Sequence, residues 1–253
     1  VNNSVSRRKL ITAGLTAAGG AAGLAVAARL ADRYGLIPPD WNGIYGPGEI
    51  LTYATQRILT AQHSLAREFS RSEVSKVAPV SGEHPKTEPY QRLLHGAFAE
   101  WRLPVDGLVA RPASFSLAQL KQFPSRSQIT EQTCEEGWSF VAEWTGVPLA
   151  YMMNLVGVLP NARYVVFFPF DDSWDSLDMH DVWHPQTLLT YAMNGQDLPV
   201  DHGAPVRLKV PRQLGYKSVK YLSRITVTDS LKHIGTGRGS AAPDVGYSWY
   251  AGI

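Results

Sequence analysis

Between residues 101 and 227 the chain mixes short strand-like runs with short helical segments, and the mixture has no regular strand–helix–strand period. This irregularity argues against a repeating crossover architecture and for an α+β fold of mixed sheets and short helices. Strand patterns run over 101–107, 128–130, 164–168, Leu188–Met193, 206–210 and 219–227. Ser116-Leu117-Ala118-Gln119 is a capping box that opens a short helix ending before Pro124. Val147-Pro148-Leu149 predicts a second helix with proline in its first turn, closed by Gly157. Leu149, Met152, Met153 and Val156 form its buried stripe, and the Met pair reads as core filling. Seven Trp and eleven Tyr suit a β-rich core, because aromatic side chains favour pleated surfaces.

Only one cysteine, Cys134, occurs among 253 residues, so no intrachain disulfide is available. Thr133, Glu135 and Glu136 flank it, and Gly137 and Trp138 follow, after a strand-like run. Such a position turns the chain and presents a side chain to a ligand. A thiolate is a soft donor, and soft donors select transition metals. Seven scattered His and a single Cys do not supply the close ligand spacing of a zinc site. Gly-x-Ser-x-Gly, His-Glu-x-x-His, the phosphate loop and Gly-x-Gly-x-x-Gly are all missing. A Cys–His hydrolase stays open on spacing, since such partners meet only in space. A net charge of +2 gives no basis for a nucleic-acid partner.

The N-terminus reads as a targeting segment over 1–28. Ser6-Arg7-Arg8-Lys9-Leu10-Ile11 is a twin-arginine pattern, followed by an apolar run rich in Ala and Gly that Arg29 closes. Its Gly and Ala content makes it a poor membrane span, although it reaches roughly the minimum spanning length. The expected location is the periplasm, reached by export of the folded protein, with a membrane tether as the outcome if the segment is kept. Residues 29–100 read as an extended lead-in that wraps the main domain, with a helix over 49–59 and a loop over 81–86. The main domain is expected over 101–253.

A second constellation lies at 194–220. Asp201-His202-Gly203-Ala204-Pro205-Val206-Arg207 and Gly215-Tyr216-Lys217-Ser218-Val219-Lys220 interleave cations with Gly and Pro loops. Cations and exposed backbone N–H groups together suit a phosphorylated, anionic ligand. The bland alternative is a solvated pair of basic loops.

These two stretches, Cys134 in its Cys-x-Glu-Gly-Trp setting, Trp144-Thr145-Gly146-Val147-Pro148-Leu149 and Met193-Asn194-Gly195 resemble the molybdopterin domain of the sulfite oxidase family. The resemblance runs from about Trp101 to Ile253, and is nearest the bacterial periplasmic branch that includes molybdenum-dependent methionine sulfoxide reductases. It implies a mixed α+β fold around a molybdenum–molybdopterin cofactor that transfers an oxygen atom to or from a small substrate. By that resemblance Cys134 is the protein's sulfur ligand to the metal, and Tyr250 stands beside the metal. Asp171 and Ser218-Val219-Lys220 contact the pterin, and His202, Arg207 and Lys220 neutralise its phosphate. Arg92 or His95 is the candidate for a further pterin contact around 89–95. Sulfite oxidases carry arginines close after the metal cysteine; Glu135 and Glu136 here disfavour sulfite. The sequence ends without the C-terminal immunoglobulin-like domain through which sulfite oxidases dimerise, so a monomeric catalytic subunit is expected. No Cys-x-x-Cys-His haem attachment occurs, so electrons are expected to pass to or from another protein, which by the resemblance is a membrane haem subunit or a periplasmic cytochrome. The alternative is a catalytically silent pterin-binding protein on the same fold.

Overall fold

The structure, a computed structural model, describes residues 26, 29–31, 35–60 and 64–253. The twin-arginine pattern and most of the apolar run lie outside these residues.

Two five-stranded sheets carry the fold. One sheet has the order β2 (Ala113–Ser116), β1 (Arg102–Gly107), β10 (Leu222–Thr228), β5 (Tyr164–Pro169), β6 (Asp175–Asp178). Its β1–β10 pair is parallel and its other pairs are antiparallel. The other sheet has the order β3 (Arg126–Thr133), β4 (Ser139–Pro148), β7 (Leu188–Met193), β8 (Gln196–Asp197), and β9 (Arg207–Lys209) also pairs with β7. All of its pairs are antiparallel. The helices are short: α1 (Pro47–Leu59), α2 (Glu88–His95), α3 (Leu117–Gln122), α4 (Leu149–Val156) and α5 (Met179–Val182). This is the α+β class expected.

One apolar cluster joins the sheets. Leu103, Val105, Phe167 and Ile225 come from the first sheet, Val147, Leu189 and Leu208 from the second. Leu149, Met152, Met153 and Val156 of α4 fill the space between, all buried as their helical spacing predicts. Each such side chain contributes roughly 1.5–3 kcal/mol by leaving water. Pro148 differs from expectation: it ends β4 instead of lying in the first turn of α4. Val147 and Pro148 are still paired with Leu189 and Leu188 of β7, so the ladder claims them before the helix begins. Likewise 219–221 is not strand. The chain turns there, with Tyr221 at φ 56, and β10 starts at Leu222.

The lead-in packs onto the domain at several points. Phe69 N–H donates to Ile129 O at 2.8 Å and Ser75 N–H to Val141 O at 2.9 Å, so 64–75 runs along the second sheet. Tyr53 of α1 packs edge-on against Trp249 and Tyr250 near the C-terminus. Trp249 N–H donates to Asp40 Oδ2 at 2.7 Å.

Candidate functional site

The β3–β4 turn positions Cys134. Cys134 N–H donates to Trp138 O at 2.8 Å and Gly137 N–H to Cys134 O at 3.2 Å. The thiol is buried and lies 3.3 Å from Glu135 Oε2 and 3.8 Å from Glu136 Oε2. Burial pushes its pKa up to about 11, and the two carboxylates add to the effect. The free thiol is therefore protonated at neutral pH. A metal cation displacing that proton would also relieve the two carboxylates.

Cys134 opens onto a cavity of about 440 Å³, which Asp171, His202, Arg207, Ser218, Val219 and Lys220 also line. The two constellations that lay far apart in sequence thus share one space. Within the second constellation, Gly203 lets the stretches 201–207 and 215–220 approach each other. It sits at φ 111, and a Cβ there would lie 2.9 Å from Lys220 Cβ and 3.1 Å from Arg207 Cβ.

Arg207, from β9, is buried, and among the described residues its guanidinium meets only carbonyl oxygens and the Trp144 ring. It donates to His202 O at 3.0 Å, Ser218 O at 2.9 Å and Leu208 O at 3.3 Å. Burial without a counter-ion lowers its pKa to about 10. A buried cation lacking an anion is costly, and an anionic ligand in the cavity offsets that cost. Lys220 Nζ donates to Ser81 O at 2.7 Å and Asp201 O at 3.0 Å. Burial, then the charge of Arg207, lowers its pKa to about 8. The same causes, with Lys220 added, take His202 down to about 4. His202 is consequently neutral at pH 7 and offers a polar ring, not the positive charge expected of it. Ser218 braces the wall: its Oγ accepts from Val210 N–H at 3.0 Å. Asp171 accepts from Ser173 N–H at 2.8 Å in the turn after β5.

Tyr250 is placed elsewhere and does not line this cavity. Its ring lies 5.2 Å from that of Tyr53, the Arg57 guanidinium stacks 4.5 Å from it, and its hydroxyl reaches Gln56 Oε1 at 3.5 Å. The contacts of α1 hold it in that aromatic cluster. Arg92 and His95 are also outside the cavity lining. Arg92 pairs with Glu88 at 3.3 Å on the surface of α2. Glu135 lines the cavity, whereas Glu136 turns aside to accept from Trp138 Nε1 at 2.9 Å.

Sequence reading missed several walls. Trp138, Phe140, Trp174 and Tyr216 supply aromatic surface, and residues 79–83 of the lead-in close one side. Asp175 lines it too, ion-paired with buried Lys217. Gln132 was also missed, although alternation along β3 points it to the same buried side as Gln128 and Thr130. No comparable signal exists for 79–83, whose approach depends on long-range folding.

Among the described residues no cluster of three His, Cys, Asp or Glu is arranged to hold a metal ion. A metal at Cys134 therefore needs donors that a cofactor brings. The donor set fits molybdopterin: one soft sulfur, two cations for a phosphate and a roomy aromatic cavity between. Cys134 would ligate the metal, while Arg207, Lys220 and the Ser218–Lys220 backbone would hold the pterin.

Fold and cavity together define an α+β domain in which one buried thiol and two cations share a single cavity, a charge and shape that suit an anionic cofactor. Residues 91–233 match the oxidoreductase molybdopterin binding domain, and the chain belongs to that family. It is 40% identical over 154 residues to a protein of Azospira oryzae named as a protein-methionine-sulfoxide reductase subunit, YedZ1, covering 61% of this chain and 56% of that one. It is 36% identical over 169 residues to the protein-methionine-sulfoxide reductase catalytic subunit MsrP of Ralstonia nicotianae, covering 60% and 50%. The chain thus spans about half the length of these relatives. Among solved structures it resembles the sulfane dehydrogenase SoxCD of Paracoccus pantotrophus, with a TM-score of 0.50 and 27% identity over 52% of this chain and 39% of that one.

Proposed function

We propose that this protein is an exported molybdenum oxidoreductase that transfers an oxygen atom at sulfur, with reduction of an S-oxide as the favoured direction. The observation that carries this is the meeting of Cys134 with Arg207 and Lys220 around one cavity. The direction is supported by the relatives, which are named as methionine-sulfoxide reductase subunits. Molybdenum, when bound, supplies the two-electron redox chemistry. Reduction of an S-oxide consumes two electrons and two protons and yields a thioether and water. The electrons come from a separate haem protein, either a membrane subunit or a periplasmic cytochrome. The mature protein works in the periplasm.

This chain's own residues set access and charge. Arg207 and Lys220 hold the anionic cofactor through charge-assisted hydrogen bonds, and the neutral His202 ring lies 5.7 Å from Phe140 in the wall between. Glu135 sets negative charge beside Cys134 and disfavours anionic substrates such as sulfite. Trp138 and Phe140, stacked with centroids 6.0 Å apart, give the mouth an apolar face for an uncharged thioether S-oxide.

The decisive measurement is molybdenum per chain in wild type and Cys134→Ser, produced in a host that makes the cofactor and exports by the twin-arginine route. Near-stoichiometric metal in wild type, with altered or lost metal-centre absorption in the variant and turnover of methionine sulfoxide, is expected. Negligible metal in folded wild type would overturn the reading.

A further inference from the structure

We propose that Gln132 is a positioning residue: its side-chain amide N–H, aimed by Lys209, donates to a sulfur or oxygen atom of the group that Cys134 holds. The inference rests on the functional reading above and deepens it at the same site.

Three observations converge. Gln132 is the last buried position of the alternating face of β3, two residues before Cys134, and both line the cavity. Lys209 of β9 is only 1% exposed. Its Nζ donates to Glu131 O and to Gln132 Oε1, each at 2.7 Å, and lies 5.1 Å from the Trp144 ring. Burial holds the Lys209 pKa well below the usual lysine range, and Nζ meets both Glu131 O and the carboxamide as a donor, so the carboxamide turns its oxygen toward Lys209. Carboxamide orientation is ordinarily a matter of inference from the surrounding network. Here the lysine decides it, and the NH₂ is forced to the opposite side.

Gly215 shows where that side is. A Cβ at Gly215 would stand 2.5 Å from Gln132 Nε2 and 3.6 Å from Cys134 Cα. Gly215 lines the cavity as well. The amide nitrogen therefore reaches the wall between Gly215 and Cys134, and only glycine leaves it room. Among the described residues Nε2 has no acceptor, and Gln132 is 5% exposed. Nε2 is not sealed in the wall but keeps access to the cavity, so an acceptor on a bound ligand takes the place of water there. Hydrogen bonds to atoms at a metal centre orient its ligands and tune its potential. A donor of this kind favours the more electron-rich, reduced state.

The test uses the full, cofactor-loaded chain. Gln132→Met removes the donor without changing formal charge. Gln132→Met/Lys209→Met replaces both partners with apolar groups, which guards against misfolding caused by an orphaned lysine. Molybdenum content, the visible absorption of the oxidised protein and its midpoint potential are read against wild type. Both variants are expected to keep the metal, to shift the visible band and to show a lower midpoint potential. Wild-type band and potential in Gln132→Met, or in the double variant if the single fails to fold, would overturn the inference. In that case metal in wild type and its loss in Cys134→Ser would leave the functional reading intact. Wild type without metal would overturn both.

Discussion

Arg57→Met should be among the most destabilising single substitutions in this chain, although the residue lies outside the matched family region. Arg57 of α1 reaches Asp178 at 2.8 Å and Asp181 at 2.6 Å, with side-chain exposures of 5% for the arginine and 11% and 1% for the acids. Met preserves length and packing but leaves two carboxylates without this cation. Breaking a buried pair by removing one partner costs about 3–5 kcal/mol. For a domain of this size, that lowers Tm by roughly 6–20 °C. Hydrogen bonds from Tyr53 to Asp178 at 2.5 Å and from Gln213 to Asp181 at 2.6 Å remain, which favours the lower half of that range. The pH dependence follows from Asp181, which is held below the usual carboxylate range against strong desolvation by Arg57. A depressed folded pKa gives stability that is present above the unfolded value of roughly 3.9 and lost as pH falls through the folded value. In Arg57→Met, Asp181 takes up a proton more readily, so the difference from wild type should shrink on acidification. Urea unfolding followed by tryptophan fluorescence, at neutral and mildly acidic pH and at matched cofactor loading, measures both effects. A loss below about 1 kcal/mol, the level of an exposed pair, would refute the reasoning. So would a difference that does not shrink toward low pH.

Lys220 is charged below about pH 8 and loses its charge above it, so affinity for inorganic phosphate should fall as pH rises through that value. Calorimetric titration across the range checks this, and Lys220→Arg should flatten the dependence. Gly146→Ala would place a Cβ 2.2 Å from Leu189 O, a backbone atom of β7. Separating β4 from β7 should cost about 1–3 kcal/mol, seen as a lower urea midpoint. Glu135→Gln/Glu136→Gln should raise sulfite turnover or sulfite inhibition in the loaded enzyme, and no change in either would discard charge exclusion at Cys134.

Local pattern carried much of the fold. The Ser116 capping box, with Gln119 N–H donating to Ser116 Oγ at 3.1 Å, sits where it was read. The stripe of α4 and the strand Leu188–Met193 were legible because their signals repeat within a few residues. β4 was not read as a strand, although Phe140, Ala142 and Trp144 alternate on its buried face. Its Gly146 and Pro148 imitate turn chemistry, and only pairing on both sides with β3 and β7 makes them strand.

The sequence by itself determined which groups were chemically notable: one thiol followed by two acids, and cations set among Gly and Pro loops. Residue type and near-neighbour spacing are enough for that. Tertiary structure alone decided which of them meet. It brought Arg207 and Lys220 to the cavity of Cys134, kept Tyr250 in the aromatic cluster of α1, and drew 79–83 across the opening. It also decided charge, because desolvation depends on what packs around a group. His202 is neutral and Arg207 lacks an anion for this reason, and no reading along the chain contains that information.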